Sequence, residues 1–279
     1  MVRTFAALIL AVCMAGSAGA DTLDRILERG TVKLGVRSAA PPFSYRDENG
    51  KPAGLAVRLC NTVVQLIARH HGTQLGSEYV FVDARQRFPA LTEGRTDLHC
   101  GPASATLRRR ETLDFSLIYF VDGAAAAVRP DGSFDTIFDT PGAGFGVVDG
   151  TTTRGVVEDL IRRNGLDVTL ETYGGHEEGL AALAANEVDV YFGDQAILFF
   201  QIEAQGLIND LHVIEDVLSF EPYALVMKRG EDNLRLAVDR ALSQIYETGL
   251  IYQMILDELG DYPLSTEAKT LYLVVGLPE

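Results

Sequence analysis

The chain has 279 residues, 47% of them hydrophobic, and a formal net charge of -15. This apolar content is ample for packed cores, so an intrinsically disordered chain is excluded. The strong negative charge disfavours a nucleic-acid partner.

The first twenty residues have the pattern of a secretory signal peptide. Arg3 supplies the positive start, residues 5–14 are largely apolar, and Ala18-Gly19-Ala20 is a small-x-small cleavage site. The apolar run is far shorter than the ~20 residues that span a bilayer, so we expect cleavage rather than anchoring. Cleavage after residue 20 removes one arginine and no acid, which makes the net charge of the mature chain -16. The mature protein is therefore expected in the periplasm.

The first part of the mature chain alternates helix and strand. Asp21 can cap a helix over 22–29 that Gly30 ends, and a strand over 31–36 follows. Apolar residues at positions 55, 59, 63, 66 and 67 predict an amphipathic helix over 56–70, before a strand over 78–82. This order is typical of an α/β fold.

An internal repeat predicts two similar lobes. Leu91 is followed six residues later by Asp97 and a short apolar strand, and Leu183 is followed six residues later by Asp189 and another. Gly94 and Asn186, at matching positions, both suit a left-handed helix cap. A chance match between two common αβ units is the alternative.

A strand over 144–148 runs into Asp149-Gly150 and three threonines before a helix over 154–163. Free N–H groups and hydroxyls at a helix start can bind an anion. A plain threonine cap explains the same pattern. Later elements are predicted over 197–204, 211–214, 223–228, 234–246 and 251–259, and the tail from position 262 onward is expected to lie on the surface.

Cys60 and Cys100 are the cysteines that remain after export. An oxidising compartment favours a disulfide between them, and two buried free thiols are the alternative. Neither has a second ligand at metal-binding spacing, so we expect no metal and no cofactor.

Several motifs together resemble the periplasmic amino-acid-binding proteins of ABC transporters, which have the type II solute-binding fold and form family 3. They are GTVKLGVR at 30–37, PFSY at 42–45, TLRR at 106–109 with DFS at 114–116, GTT at 150–152, 189–194, and EPY at 221–223. The resemblance implies a monomer of two lobes that delivers a small amino acid to a membrane permease. It also implies crossings between lobes near 119–123 and 219–223, with lobe 1 formed by 21–121 and 222–279 and lobe 2 by 122–221.

Within this family the chain looks most similar to the glutamate/aspartate-binding branch. The matching residues are Arg37, Arg87, Cys100 with Gly101, and His176. The chain departs from the branch at Arg58, which replaces an acid, and at Ala84, Pro102 and Ala103, which replace small hydroxyl residues. These departures bear on whether the ligand is glutamate, aspartate, glutamine or another polar amino acid.

The resemblance assigns roles to single residues. Arg109 matches the arginine that holds the ligand's α-carboxylate, and Asp194 matches the acid that accepts its ammonium group. A guanidinium suits a carboxylate because both are planar and can form two parallel hydrogen bonds. Side-chain contacts are implied for Arg37, Arg87 and His176, and further contacts for Pro102, Ser104, Thr151 and Thr152. The alternatives are a structural ion pair for Arg109, a capping role for Asp194, an N-cap neighbour for His176, and for Arg37 or Arg87 a pairing with Asp83 or a solvated side chain.

Two other functions fit a similar chain less well. A periplasmic dehydratase of the cyclohexadienyl type shares the fold, but the sequence has no nucleophile elbow, metal-ligand cluster or evident carboxylate pair. A sensor ectodomain is the second alternative. His70, His71, His99 and His212 are interpreted as structural or surface residues.

Overall fold

A computed structural model describes residues 21–130, 141–260, 262, 264 and 266–278. The predicted signal peptide at 1–20 lies outside the described residues. None of the described helices is long and apolar enough to cross a membrane.

The described elements alternate in the manner of an α/β protein. The strands are β1 Thr31–Arg37, β2 Ala39–Ala40, β3 Ser44–Arg46, β4 Pro52–Ala53, β5 Gly76–Val82, β6 Leu98–Cys100, β7 Leu113–Asp122, β8 Ala124–Val128, β9 Ala143–Val148, β10 Val168–Tyr173, β11 Val190–Asp194, β12 His212–Val213 and β13 Glu221–Lys228. The helices are α1 Thr22–Arg29, α2 Leu55–His70, α3 Arg87–Thr92, α4 Leu107–Arg110, α5 Thr152–Asn164, α6 His176–Ala184, α7 Gln195–Ala204, α8 Asp232–Glu247, α9 Leu250–Leu259 and α10 Thr266–Val275.

The strands form two five-stranded sheets, one in each lobe. The order is β5-β1-β6-β13-β7 in the first lobe and β10-β9-β11-β8-β12 in the second. In each lobe the first three strands of that order run parallel, and the others join antiparallel. The expected two-lobed α/β architecture is therefore confirmed. A small sheet, β2-β3-β4, adds to the first lobe near the end of β1.

The repeat is visible in individual hydrogen bonds. The Asp97 N–H donates to Lys33 O (2.8 Å) and its carboxylate accepts from Lys33 N (2.7 Å). The Asp189 N–H likewise donates to Gly144 O (2.7 Å) and its carboxylate accepts from Gly144 N (2.8 Å). The predicted left-handed caps are also confirmed, with φ of 72° at Gly94 and 62° at Asn186. Each repeat thus uses an aspartate to fix the entry of a buried strand beside its neighbour.

The chain passes between the sheets at two adjacent places. It leaves the first sheet after β7 and enters the second at β8, with Gly123 between them, and it returns between β12 and β13. A Cβ on Gly123 would lie 2.6 Å from Ser219 O, so only glycine allows the two crossings to approach this closely. The hinge region is therefore a pair of closely packed backbone segments.

A disulfide joins Cys60 of α2 to Cys100 at the end of β6, with their Cα atoms 6.0 Å apart. The predicted pairing is confirmed, and the alternative of two free thiols is wrong. The bond ties a helix to the central strand that leads into the cleft.

The C-terminal tail differs from the expectation of a surface segment. It forms α10, in which Tyr272 is 4% exposed and belongs to the core of the first lobe. The Tyr272 hydroxyl donates to Tyr119 O in β7 at 2.8 Å. The expectation was wrong because apolar side chains of α10 bury against β7 and α8, a contact that the local sequence does not encode.

Candidate functional site

A narrow cleft, partly open to solvent, lies between the lobes. Both lobes contribute to its lining. All nine residues predicted to contact a ligand line it: Arg37, Arg87, Pro102, Ser104, Arg109, Thr151, Thr152, His176 and Asp194. The structure therefore brings these positions together from seven separate segments of the chain.

Three arginines from the first lobe converge on the cleft. Arg37 ends β1, Arg87 begins α3, and Arg109 lies in α4. Arg37 is 6% exposed and Arg87 2% exposed, so neither guanidinium is solvated. Arg87 donates to Gly150 O of the second lobe at 3.0 Å, and Arg109 donates to Ser104 O at 2.9 Å. The neighbouring Arg108 and Arg110 are exposed, as expected.

Phe88 supports two of these guanidiniums. Its ring centroid lies 4.3 Å from Arg87 Cζ and 5.0 Å from Arg109 Cζ, within the range of a cation–π interaction. The ring also makes an edge contact with His99, with 6.3 Å between centroids. Phe88 thus holds both cations while leaving their N–H groups available.

Within the described part of the chain, these three arginines have no ion-pair partner. Among the described residues, no carboxylate oxygen lies within 4.0 Å of a guanidinium nitrogen of Arg37, Arg87 or Arg109. Burial lowers the pKa of Arg37 to about 10, and burial together with the charges of Arg37 and Arg109 holds the pKa of Arg87 well below its usual value. The Nε atoms of Arg37 and Arg87 are buried without a hydrogen-bond partner. An anionic group bound in the cleft would therefore be stabilised by these arginines.

Asp194 lies at the opposite side of the cleft, where β11 meets α7. Its carboxylate accepts from Thr153 Oγ1 at 2.6 Å and from the Tyr223 hydroxyl. It forms no side-chain hydrogen bond to the start of α7, so the capping alternative is not supported. Its lone pairs not used by these hydroxyls can accept from a ligand cation.

Sequence reasoning missed Asp122 behind this carboxylate. Asp122 ends β7, and its Oδ2 lies 3.3 Å from the hydroxyl of Tyr223, which also bonds Asp194. Burial first, and then the charge of Asp194, raise the pKa of Asp122 to about 8. The expectation that no close carboxylate pair exists is therefore corrected. The sequence does hold a signal for Asp122, since an acid directly precedes Gly123 at the predicted crossing between the lobes.

His99, predicted to be a structural or surface residue, is fully buried and does not line the cleft. Burial and the charges of Arg87 and Arg37 hold its pKa well below the usual value. A neutral histidine thus lies behind the arginines.

The start of α5 supplies the second lobe's polar groups. The Thr151 hydroxyl caps the helix, accepting from Arg154 N at 3.2 Å and donating to Val148 O at 2.7 Å. For this hydroxyl the plain threonine cap is the correct interpretation. The Thr152 hydroxyl donates to the Glu221 carboxylate at 2.9 Å, and its oxygen lies 3.3 Å from that of the Ser104 hydroxyl. The contact with Ser104 connects the two lobes. The first N–H groups of a helix have no partner within it, and in α5 the Thr151 hydroxyl satisfies that of Arg154.

His176 is the first residue of α6 and is 5% exposed. Its Nδ1 shares a hydrogen bond of 3.2 Å with the Tyr191 hydroxyl. Burial, followed by the charge of Arg37, lowers its pKa to about 3. His176 is therefore a neutral side chain with one ring nitrogen left to contact a ligand.

Among the described residues, no group of three or more His, Cys, Asp or Glu side chains could hold a metal ion.

Comparison with known proteins places this arrangement in a family. The model of the bacterial extracellular solute-binding proteins, family 3, matches residues 32–257. The chain is 26% identical over 252 residues to the L-glutamate/L-aspartate-binding protein of Pseudomonas aeruginosa, covering 90% of this chain and 83% of that protein. It is also 26% identical to an L-cystine-binding protein of Escherichia coli, covering 88% of each.

Among solved structures, an ABC uptake transporter substrate-binding protein from Streptococcus pneumoniae with bound histidine has a similar fold. The TM-score is 0.77 at 22% identity, covering 88% of this chain and 98% of that one. The relatives share the binding-protein description, but their names differ in the amino acid bound.

Proposed function

The chain belongs to the bacterial extracellular solute-binding proteins, family 3, a family of amino-acid-binding proteins of ABC transporters, and on that premise we propose that its own ligand is glutamate or aspartate. In this proposal the two lobes close on the amino acid, and the closed form delivers it to a membrane permease from the periplasm. Lobe 1 comprises 21–121 and 222–279, and lobe 2 comprises 122–221.

One observation carries the proposal: three arginines line the cleft, two of them buried, and among the described residues none of the three forms an ion pair. The charges of Asp194 and Glu221 favour the cationic form of Arg109, and those of Asp83 and Asp194 favour the cationic forms of Arg37 and Arg87. In the described part of the chain none of these acids pairs directly with the three guanidiniums, so their free N–H groups can take a ligand carboxylate. The second carboxylate of glutamate or aspartate would fill this role, whereas the amide of glutamine would leave a buried cation without an anionic partner.

Each charged group of such a ligand has a partner in the cleft. Arg109 is proposed to hold the α-carboxylate, with the N–H groups at the start of α5 contributing from the second lobe. Asp194 would accept the ammonium group. Arg37, Arg87 and neutral His176 would donate to the second carboxylate, and Pro102 and Ser104 would complete the wall.

Contacts from both lobes give a ligand a higher affinity for the closed form than for an open one. Binding should therefore be accompanied by closure, which small-angle scattering would register as a smaller radius of gyration.

A thermal-shift screen of the twenty amino acids on the mature protein tests the function, because a ligand that binds the native state raises its melting temperature. Calorimetric titration of glutamate, aspartate, glutamine and asparagine then tests the ligand class. We expect the acids to bind more tightly than the amides by on the order of 2 kcal/mol. Equal or tighter binding of the amides would refute the acidic ligand, and no shift with any amino acid would refute the function.

A further inference from the structure

Two carboxyl groups meet at one hydroxyl where the first lobe passes into the second. The Tyr223 hydroxyl donates to Asp194 and also lies 3.3 Å from Oδ2 of Asp122. A phenol carries a single proton, so it cannot donate to both carboxylates. We propose that Asp122 is a positioning residue of the ligand site, which stays protonated, donates to the Tyr223 oxygen and so directs the Tyr223 proton to Asp194. This inference rests on the proposed function, in which Asp194 accepts the ligand's ammonium group.

The surroundings of Asp122 favour its protonated form. Two backbone N–H groups donate to its carboxyl group, Gly123 N to Oδ1 at 2.9 Å and Ala196 N to Oδ2 at 3.3 Å, and both favour the ionised form. Burial and the charge of Asp194 outweigh them, so the pKa of Asp122 is raised. Five ionisable groups face Asp122. Glu221 lies opposite Asp122 on β13 and Tyr223 follows on the same strand, while the others are Asp194 on β11, Tyr119 on β7 and Tyr262 after α9. All of them are acids or phenols. Among the described residues no arginine, lysine or histidine forms an ion pair with Asp122.

Glu221 does not compete for the same proton. Its carboxylate accepts from Thr152 at 2.9 Å and from Ser219 at 2.8 Å, so two other hydroxyls satisfy it. Burial and then the nearby charge of Asp194 raise the pKa of Asp122 to about 8. At neutral pH its protonated carboxyl group can therefore donate to the Tyr223 oxygen.

The geometry connects this proton to the binding site. Asp194 is held on Oδ1 by Thr153 and on Oδ2 by Tyr223, so two hydroxyls fix the rotation of its carboxylate. Asp122 is the last residue of β7 and Tyr223 lies in β13, the two strands of the first sheet that meet the crossings, whereas Asp194 is the last residue of β11 in the second sheet. The chain from Asp122 through Tyr223 to Asp194 therefore spans the hinge.

Loss of the Asp122 proton would disturb both the hinge and the site. Two carboxylates would then compete for one phenol proton and repel each other in a buried setting. The extra negative charge would also oppose the binding of an acidic amino acid, whose net charge is negative. Affinity should therefore fall as the pH rises through the range in which Asp122 ionises.

The test is calorimetric titration of L-glutamate at about pH 6.5 and about pH 9. The wild type should bind about tenfold more weakly at the higher pH. Asp122→Asn keeps a donating group that does not titrate, so its affinity should change little between the two values. Asp239→Asn is the matched control, because Asp239 is another aspartate of raised pKa, bonded to Leu117 N away from the cleft, and this variant should follow the wild type. Titration of the ligand's own amino group affects all variants equally.

Tyr223→Phe supplies a second variant. It removes the hydroxyl that connects the acids, so affinity should already be reduced at the lower pH and should depend less on pH. An equal pH dependence in wild type and Asp122→Asn would overturn the proposal.

Infrared spectroscopy gives a readout that needs no ligand. The ligand-free wild type should show a carboxylic-acid carbonyl band at about pH 6.5 that is missing in Asp122→Asn and disappears as the pH is raised. This band can be followed in the wild type alone if the variant does not fold. Its absence would overturn the proposal. If the band is present but no amino acid binds, the proposed function fails while protonated Asp122 is supported. If an amino acid binds but its affinity does not depend on pH, the proposed function is supported and the role of Asp122 is wrong.

Discussion

Arg85 of the first lobe and Asp149 of the second form an ion pair between the lobes, with 2.6 Å between Arg85 Nε and Asp149 Oδ2. Asp149 is also bonded by Arg154 of its own lobe, which, with further hydrogen bonds and the charge of Arg85, lowers its pKa below the ordinary value. The Arg85 side chain is 62% exposed, so solvent screens the pair. Exposed pairs of this kind contribute about 0.2–1 kcal/mol.

Arg85→Ala should therefore weaken ligand binding by at most about fivefold, because it removes a contact between the lobes that the proposed opening of the cleft would break. Calorimetry at low and high salt measures this, and the difference from the wild type should shrink at high salt. Arg162→Ala is the control, since it removes an exposed arginine that pairs with Asp159 within α5. A salt-independent loss, or an equal loss in the control, would contradict a role in closure.

The three arginines should differ in their effect on selectivity. Arg37→Ala and Arg87→Ala should each reduce the preference for glutamate over glutamine, by on the order of 2 kcal/mol where a buried charged pair is lost. Arg109→Ala should weaken both ligands together, because both carry the α-carboxylate. Calorimetric titration of the two amino acids on each variant decides this.

Arg108→Ala is the matched control for these variants, because Arg108 is exposed beside Arg109 and does not line the cleft. It should leave the affinities and the preference unchanged. If both Arg37→Ala and Arg87→Ala retain the full preference for the acid, the assignment of these residues to a second carboxylate is wrong.

Removing the disulfide should destabilise the first lobe. The double variant Cys60→Ala/Cys100→Ala should lose roughly 2–4 kcal/mol of unfolding free energy, because the unfolded chain regains the entropy of an open loop. Urea unfolding measures the loss, and reduced wild type should lose a similar amount. Intact mass before and after reduction and alkylation verifies the bond. Two thiols that alkylate in unfolded protein without reductant would contradict it.

His176 should make the protein less stable in mild acid. Its folded pKa of about 3 lies below its usual value of about 6.5, so between these limits the unfolded chain binds a proton that the native protein does not. The contribution is complete above about pH 6.5 and is lost as the pH falls, at about 1.4 kcal/mol per pH unit. Urea unfolding at about pH 6.5 and about pH 5 measures the change.

His176→Gln should reduce this acid sensitivity by the equivalent of one proton, because glutamine does not titrate. His212→Gln is a suitable control, since His212 is exposed at the start of β12. An unchanged pH dependence in His176→Gln would show that His176 is not held neutral in the native protein.

The sequence alone determined the local elements and the repeat. Asp21 and Gly30 bound α1 as predicted, because caps act within one turn of a helix. Gly94 and Asn186 identified equivalent turns in the two lobes for the same reason. The cleft positions were predicted through the family motifs, and all nine lie in its lining.

Only the tertiary structure decided which distant residues form hydrogen bonds, interact electrostatically or pack in the same core. Asp122 and Tyr223 are separated by 101 residues and Tyr119 and Tyr272 by 153, yet each pair is in hydrogen-bond contact. His99 reads as an ordinary strand residue until the fold surrounds it with arginines. Hydrophobic periodicity and capping are properties of neighbouring residues, whereas burial and electrostatic coupling depend on distances that exist only once the sheets have assembled.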